Sequence, residues 1–361
     1  MQNEKNTTSE SHICFICETP LQALNCLKII CQEEANGSVD LYLQKKMNNV
    51  NTFEELFLKT KVVKKIIKFK YPKTDLEKIH SAIRIAFPNH YLKRTLKGNT
   101  SLSNKYDVIY YASLTRFVRA MIIMNVHAKT ILFEDGLSSY ERRTTLCKIN
   151  WKEEFLHKLL GRDISRFRTS VIYLNNPSLC QIEWIKEKRE IKNTQAFKSL
   201  LSNETLFRIP DVYGKSKFIY LSQPMREKTG NDSEYDSLLS ELSKREVIYR
   251  AHPSEKESNC WALTDSSQIP WEIICEKTIS DSNILIGKCS TAQIQPKWFY
   301  GKEPTIIFTY LMANDYFSKI NRKANEETME KTKKIYKNPK KIYSVKSTQE
   351  LIEILDKISG E

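Results

Sequence analysis

Glycine is scarce in this chain, with nine residues among 361, which argues against a glycine-rich barrel or solenoid. The glycine-dependent nucleotide motifs are missing too, since the sequence holds neither Gly-x-Gly-x-x-Gly nor a Walker A loop. Gly-x-Ser-x-Gly, His-Glu-x-x-His and Asp-x-Asp are also absent. Asp-x-Asp is the motif with which metal-dependent sugar transferases usually bind Mg²⁺ or Mn²⁺. A metal site of that kind is therefore not predicted.

Long apolar runs are absent as well. No stretch approaches the roughly 20 apolar residues that a spanning helix needs, and the nearest, 117–126, contains Arg119. The first eleven residues are polar and show no apolar signal segment. The nine cysteines are odd in number and follow no spacing framework, as is typical of free thiols in a reducing compartment. The sequence therefore predicts a cytoplasmic protein that would meet a membrane only peripherally, at the inner face of the plasma membrane.

Basic residues outnumber acidic ones by 57 to 43, a formal net charge of +14, and this balance favours anionic partners. Much of the excess is Lys at 331–334 and 337–341. Such runs form either a solvated face or a patch for an anionic membrane surface. Nucleic acid is not the predicted partner, because RRM, KH and helix-turn-helix signatures are missing and aromatics do not alternate with the lysines. A basic nucleic-acid- or membrane-binding protein without catalysis is the alternative from another class.

Strand-like and helix-like segments alternate along most of the chain. A strand at 13–17, a turn and a helix at 21–31 form a βα opening. Further strands are predicted at 39–43, 62–69, 107–112, 130–133, 170–174, 217–221, 246–250, 271–275, 283–286 and 304–309. This alternation predicts an α/β fold with parallel sheets. A chain of this length suits two domains of about 150 residues each.

The predicted organisation is two Rossmann-type domains that face a central cleft. The segments in chain order are a disordered leader (1–11), an N-terminal domain (12–175), a linker region (176–215), a C-terminal domain (216–345) and a C-terminal helix (346–361). A charged helix is predicted within the linker region, near 182–191. In such folds ligands bind at the carboxyl ends of the strands. Polar residues just past predicted strands are therefore the candidates for the functional site.

The first candidate is Glu134-Asp135-Gly136, which follows the strand at 130–133 directly. Glycine permits a tight turn with positive φ, so the acidic pair would point into the cleft. A carboxylate in that position can accept a proton from a hydroxyl group. The alternative is a simple Asp-Gly turn followed by a helix cap at Ser138.

The second candidate is His252-Pro253, which follows the strand at 246–250 with Arg250 beside it. An imidazole can donate a hydrogen bond to a phosphate or protonate it. The alternative is a loop histidine satisfied by the backbone. Asp232 lies in a polar loop upstream of His252, and it either caps a helix or rivals Asp135 as the base.

The third candidate is the segment from Gly287 to Thr291, which follows a strand and opens a helix. Hydroxyl side chains and N–H groups at a helix start form an anion site, although an N-cap role alone would explain Ser290. Lys288 would add positive charge there. Gln223 and Pro224 follow the strand at 217–221. They would border a bound base or ribose.

Together these segments resemble glycosyltransferase family 52, the bacterial lipooligosaccharide and capsule sialyltransferases. Thr19-Pro20-Leu21-Gln22 is similar to the N-terminal turn of that family. Glu134-Asp135-Gly136, His252-Pro253 and Ser290-Thr291 match the acidic, His-Pro and Ser/Thr motifs of bacterial sialyltransferases. The resemblance extends roughly from residue 12 to 310, and the order of the three short motifs gives it its specificity.

The resemblance implies a GT-B-like fold with an acceptor-side N-terminal domain and a nucleotide-sugar-binding C-terminal domain. It also implies CMP-N-acetylneuraminate as donor, inversion at the anomeric carbon, and no required metal or other cofactor. The acceptor would be a terminal galactose on a lipid-linked lipooligosaccharide or a capsular polysaccharide. A family-52 transferase of another sugar, such as glucose from a UDP donor, is the alternative. A homodimer would fit the base rates of oligomeric proteins.

The roles that the resemblance implies fall on both domains. Asp135 would be the catalytic base, with Asp232 as its rival, and His252 would donate to the phosphate of the leaving CMP. The acceptor side would include Thr19, Pro20, Gln22 and Glu134. The donor side would include Gly136, Gln223, Pro224, Arg250, Pro253, Lys288, Ser290 and Thr291.

Overall fold

Two units make up the chain, 1–206 and 207–361, in a computed structural model. The structure describes residues 11–33, 37–71, 87–96, 106–141, 151–202, 207–223, 233–252, 261–312 and 316–360. Each unit is built on one parallel sheet. The predicted leader lies outside the described residues except for Ser11, which begins the first strand.

Unit 1 (1–206) is organised around a sheet whose strand order, within the described residues, is β3-β2-β1-β4-β5-β6-β7. The strands are β1 (Ser11–Cys17), β2 (Gly37–Gln44), β3 (Val63–Phe69), β4 (Val108–Tyr111), β5 (Lys129–Phe133), β6 (Val171–Leu174) and β7 (Glu187–Glu190). The helices are α1 (Pro20–Glu33), α2 (Val50–Lys59), α3 (Pro88–Thr95), α4 (Arg116–Met124), α5 (Trp151–Leu159) and α6 (Gln195–Leu201). The inner strands are nearly continuous apolar runs, as expected of parallel strands covered on both faces.

Unit 2 (207–361) repeats the plan with the order β10-β9-β8-β11-β12-β13 among its described strands. The strands are β8 (Phe218–Leu221), β9 (Val247–Arg250), β10 (Leu263–Asp265), β11 (Ile284–Gly287), β12 (Thr305–Phe308) and β13 (Ile342–Ser344). The helices are α7 (Ser233–Ser243), α8 (Trp271–Lys277), α9 (Thr291–Tyr300), α10 (Tyr316–Ile335) and α11 (Thr348–Gly360). Two apolar clusters cover the faces of this sheet, one closed by α7 and α11 and the other by α8.

Each sheet has a point at which the strand order reverses direction. In unit 1 it lies between β1 and β4, which pair in parallel, and in unit 2 between β8 and β11, which pair in the same way. At such a point successive connections diverge to opposite sides and leave a crevice at the carboxyl ends of the strands. The predicted site residues follow β1, β5, β8, β9 and β11, so the fold gathers each group at the carboxyl edge of its own sheet.

One predicted strand is wrong, because residues 271–275 belong to helix α8. The run Trp-Glu-Ile-Ile-Cys is buried along its whole length. Such a short apolar run does not distinguish a buried strand from a buried helix. Pro270, directly before the helix, was the local signal that favours a helix start.

The charged helix predicted near 182–191 is also wrong, because its second half forms β7. This strand pairs in parallel with β6 at the end of the sheet. Its sequence, Glu-Lys-Arg-Glu, is mostly solvent-exposed, so tertiary pairing overrides the helical preference of these residues. The segment predicted as a linker, 176–215, contains β7 and α6 of unit 1, and the two units divide between 206 and 207.

Within the ranges that the structure describes, no helix is both long enough and apolar enough to cross a bilayer.

Candidate active site

The acidic loop of unit 1 begins where β5 ends at Phe133. Gly136 has a φ of 82°, a backbone conformation that residues with a Cβ rarely adopt. The N–H of Asp135 donates to Ser139 Oγ at 2.7 Å, and the N–H of Ser139 donates to the carbonyl of Gly136 at 3.0 Å. These bonds close the loop upon itself and hold Asp135 at the carboxyl edge of the sheet.

Gln22 connects this loop to the end of β1. It lies in the first turn of α1 and is 2% exposed. Its Nε2 donates to Asp135 Oδ1 at 2.8 Å, while its Oε1 accepts from the N–H of Glu18 at 2.7 Å. Thr19 begins the same turn and its Oγ1 accepts from the N–H of Gln22 at 3.3 Å, and Pro20 starts the helix. One buried amide therefore fixes the position of the predicted base.

Glu18 is a second carboxyl group at this edge, and the sequence reasoning missed it. The hydroxyl groups of Tyr71 and Thr115 donate to its Oε1 at 2.7 and 2.6 Å. The signal was present, because Glu18 is the first residue past β1, as Glu134 is the first past β5. What the sequence did not reveal is that Gln22 would bring Glu18 and Asp135 to the same place.

The side chain of Glu134 is buried and has a structural role. Its side chain is 0% exposed, and its Oε2 accepts from Tyr140 Oη at 2.5 Å and from the backbone N–H of Asn175 at 2.7 Å. Asn25 Nδ2 donates to its carbonyl oxygen at 3.2 Å. The sequence predicts that both carboxylates of the motif face a ligand, whereas the structure buries Glu134 and leaves Asp135 partly accessible. Glu134 therefore ties the end of β6 to the loop that carries Asp135.

Burial raises the pKa of all three carboxyl groups above their ordinary values. For Asp135 the hydrogen bond from Gln22 opposes this rise. For Glu18 the hydroxyl donors oppose the rise of the pKa, while the nearby charge of Asp135 adds to it. For Glu134 the bonds from Tyr140 and Asn175 lower the pKa in part. A carboxyl whose pKa is raised is a stronger base once ionised, which suits proton abstraction from a hydroxyl group.

The carboxyl edge of unit 2 brings three loops together. Gln223 Nε2, just past β8, donates to the carbonyl of Cys289 at 3.3 Å. The N–H of Ser222 donates to the carbonyl of Arg250 at 3.0 Å, which joins the ends of β8 and β9. His252 lies two residues past β9 and is half-buried. Gln223, His252 and the start of α9 thus share one edge, as the sequence predicted for these loops.

Ser290 is the N-cap of α9. Its Oγ accepts from the N–H of Ala292 at 3.2 Å, and Gln293 Oε1 accepts from the N–H of Ser290 at 3.0 Å, a reciprocal capping box. Gln293 also bonds two strand carbonyls, and a Cβ on Gly287 would lie 3.1 Å from its amide group. Gly287 is therefore needed for close packing. The N-cap role expected of Ser290 is confirmed, and Thr291 is the first residue of the helix.

Arg250 is held by groups of its own unit. Its guanidinium forms an ion pair with Asp265, which is 3% exposed, and donates to Tyr213 Oη at 3.2 Å and to the carbonyl of Ile269 at 2.6 Å. It also lies over the ring of Trp271, with its Cζ 5.4 Å from the ring centroid. The positive charge that the sequence assigned to donor binding is thus balanced by a buried carboxylate. Asp265 had no signal in the sequence, because β10 is only three residues long.

Of the remaining predicted site residues, Lys288 is buried, and three others lie in parts of the chain that the structure does not describe. Lys288 is 6% exposed at the end of β11. Burial raises the pKa of the neighbouring Cys289 to about 12, so its thiol is not a nucleophile at neutral pH. Three predicted site residues, Asp232, Pro224 and Pro253, lie outside the residues that the structure describes.

The polar groups at the two carboxyl edges differ. Unit 1 presents Asp135, an ionisable carboxyl in a partly desolvated loop, with Glu18 beside it. Unit 2 presents a histidine and the N-terminal turn of α9, where the helix dipole favours an anion such as phosphate.

A family model described as Alpha-2,8-polysialyltransferase (POLYST) matches residues 13–352. No curated protein sequence matches the chain. Solved structures similar to it include the glycotransferase of kitacinnamycin (TM-score 0.50, 10% identity, covering 98% of this chain and 91% of that one).

Arabidopsis thaliana UGT89C1 is similar in two complexes. With quercetin the TM-score is 0.51 at 10% identity, and with UDP-L-rhamnose it is 0.50 at 12% identity; in both, the match covers 98% of this chain and 90% of that one. At such identities the likeness concerns the fold alone. The predicted GT-B-like α/β architecture of two Rossmann-type domains is confirmed.

Proposed function

Because the chain belongs to the alpha-2,8-polysialyltransferase family, we propose that it transfers N-acetylneuraminate from CMP-N-acetylneuraminate to a glycan hydroxyl group, with inversion and without a required metal ion. The observation that carries this proposal is the position of Asp135, a carboxyl group with raised pKa held by Gln22 at the carboxyl edge of the first sheet. The family description favours a sialic-acid-terminated acceptor. The terminal galactose inferred from the motifs is the competing acceptor.

The proposed reaction is a single displacement. Asp135 takes the proton of the attacking acceptor hydroxyl, whose oxygen bonds to the anomeric carbon of the sialyl group. The bond from that carbon to the phosphate oxygen breaks, and CMP leaves with the electron pair. His252 donates to the departing phosphate, and the start of α9 at Ser290 and Thr291 receives its oxygens. Fixed donors of this kind stabilise developing charge without reorganisation of solvent.

The roles of other residues follow from their contacts. Gln22 orients Asp135 and lowers its pKa in part, and the N–H of Glu18 holds the amide of Gln22 in place. Glu134 holds the loop and does not meet the acceptor directly, since its side chain is fully buried. Gln223, whose side chain is bonded to Cys289 just before α9, would border the cytidine.

The first test is release of CMP from CMP-N-acetylneuraminate by the purified full chain, with EDTA present. We expect release that depends on an added oligosialic acid, and weaker or no release with lactose. Lactose as the better acceptor would favour the galactose-terminated glycan instead. Release with UDP-sugars and none with the CMP donor would overturn the proposed donor, and loss of activity in EDTA that Mg²⁺ restores would overturn metal independence.

His252→Ala is expected to lower kcat by about 10²-fold or more, the usual contribution of a general acid or of a donor to a leaving group. His127, an exposed histidine of unit 1, provides the matched control, because His127→Ala removes an imidazole away from the proposed chemistry. Both variants would be assayed by CMP release at saturating donor. Unchanged kcat in His252→Ala would remove His252 from the mechanism.

A further inference from the structure

Helix α5 of unit 1 presents its most apolar side chains to solvent. Trp151, Phe155 and Leu159 are 72%, 62% and 67% exposed. On a helix of 3.6 residues per turn these three positions fall within about 80° of arc, so they form one continuous stripe. Exposed large apolar residues are ordinary when scattered, but a contiguous set marks an interaction surface.

The opposite side of α5 is anchored to the protein. His157 is 0% exposed, and its ring packs against Phe167 with 5.3 Å between the centroids. Glu153 forms an ion pair with Arg119 of α4. The helix is therefore fixed in an orientation that leaves the apolar stripe outward, and the exposure is a property of the folded unit.

Two lysines border the stripe. Lys158 and Lys152 fall about 20° beyond its two edges on the same helical projection, and both are exposed. The sequence from 142 to 168 contains eight basic and three acidic residues, a net charge of +5. An apolar face with an interfacial Trp and flanking lysines is the pattern of a helix that lies in the headgroup region of a bilayer.

We propose that α5 is a membrane-docking helix that inserts Trp151, Phe155 and Leu159 into the interface of an anionic bilayer. The lysine stems would extend along the apolar stripe while their ammonium groups reach the lipid phosphates. The net charge of +5 on this segment favours an anionic bilayer over a second copy of the chain, because two segments of the same positive charge repel each other. The proposal does not depend on the proposed reaction.

The test is co-sedimentation of the full chain with vesicles made of equal parts phosphatidylcholine and phosphatidylglycerol, compared with phosphatidylcholine alone. We expect binding to the anionic vesicles that weakens with salt. The triple variant Trp151→Gln, Phe155→Gln and Leu159→Gln should bind at least tenfold more weakly. Lys152→Glu with Lys158→Glu should lose binding to the anionic vesicles as well.

Two controls separate this proposal from its rivals. Leu58→Gln changes a side chain of α2 that is 56% exposed and should bind as the native chain does. Lys333→Gln with Lys334→Gln tests the Lys-rich C-terminal region and should also bind normally. These side chains are exposed, or in the case of Lys333 partly exposed, and the melting temperature of each variant checks that folding is unchanged.

Three results would overturn the proposal. The first is native-like binding by the α5 triple variant. The second is loss of binding only in the Lys333 and Lys334 variant, which would assign the membrane contact to the C-terminal region. The third is a native chain that ignores vesicles but sediments as a dimer, which the triple variant converts to a monomer; α5 would then be a subunit interface.

Discussion

Asp135→Asn is expected to lower kcat by about 10²-fold or more, the usual contribution of a general base. Asn keeps the size of the side chain and an oxygen that can accept the bond from Gln22 Nε2, now 2.8 Å long. The substitution therefore removes the proton acceptor with little change in the loop. CMP release at saturating donor and acceptor measures the effect.

The Asp135→Asn variant should be at least as stable as the native protein, although its kcat falls. Burial raises the pKa of Asp135, so the folded protein holds the proton more tightly than the unfolded chain does. The stabilising effect of the protonated form is present at low pH and is lost as the pH rises through the folded-state pKa. At neutral pH the native carboxylate is therefore unfavourable to folding, and Asp135→Asn should melt at the same temperature or higher. A large fall in melting temperature would instead indicate a structural role.

Gln22→Leu tests the same assignment through the pH dependence of the reaction. It removes the hydrogen bond that lowers the pKa of Asp135, so the acidic limb of kcat/KM should move to higher pH. Asp163→Asn, at an exposed carboxyl outside the site, should leave the pH profile unchanged.

Turnover close to native in Asp135→Asn would contradict the assignment of Asp135 as the base. The role of base would then pass to Asp232, the alternative that the sequence indicates.

Arg250→Met is expected to destabilise unit 2 by about 3 kcal/mol, because removing one partner of a buried ion pair leaves the other charge uncompensated. Asp265 is 3% exposed and would keep its bonds from Tyr213 Oη and the N–H of Ser267, neither of which carries a positive charge. Urea unfolding of the full chain, followed by tryptophan fluorescence, measures the effect. Three of the five tryptophans lie in unit 2, and Trp271 contacts Arg250 itself.

A double substitution separates the ion pair from other effects of this change. Arg250→Met with Asp265→Asn removes both charges and should recover a large part of the lost free energy of unfolding. Arg250→Lys keeps the charge but not the planar set of donors that reaches Asp265, Tyr213 and Ile269, so it should recover less. A native unfolding free energy in Arg250→Met, together with a raised KM for the donor, would contradict this and restore the donor-binding role predicted from the sequence.

Most of the architecture could be predicted because its signals are local. The apolar runs at 13–17, 217–221 and 283–286 are strands, and the proline and serine positions at Pro20 and Ser290 begin helices as predicted. The membership of a sialyltransferase family was also inferred correctly, whereas the narrower assignment to family 52 remains a prediction. The errors at 182–191 and 271–275 fall where tertiary neighbours decided the element, since burial and edge pairing do not follow from short charged or apolar runs.

By itself, the sequence determined the two α/β units, the glycine turn after β5 and the gathering of polar loops at the carboxyl edges of the sheets. These follow from periodicity, from turn chemistry and from the geometry of parallel strands. Only the tertiary structure decided that Glu134 is buried while Asp135 remains accessible, that Glu18 joins it through Gln22, and that Arg250 is neutralised by Asp265. Each of these depends on contacts between residues distant in the chain, and the energy of a carboxyl or guanidinium group depends on such neighbours and on its desolvation.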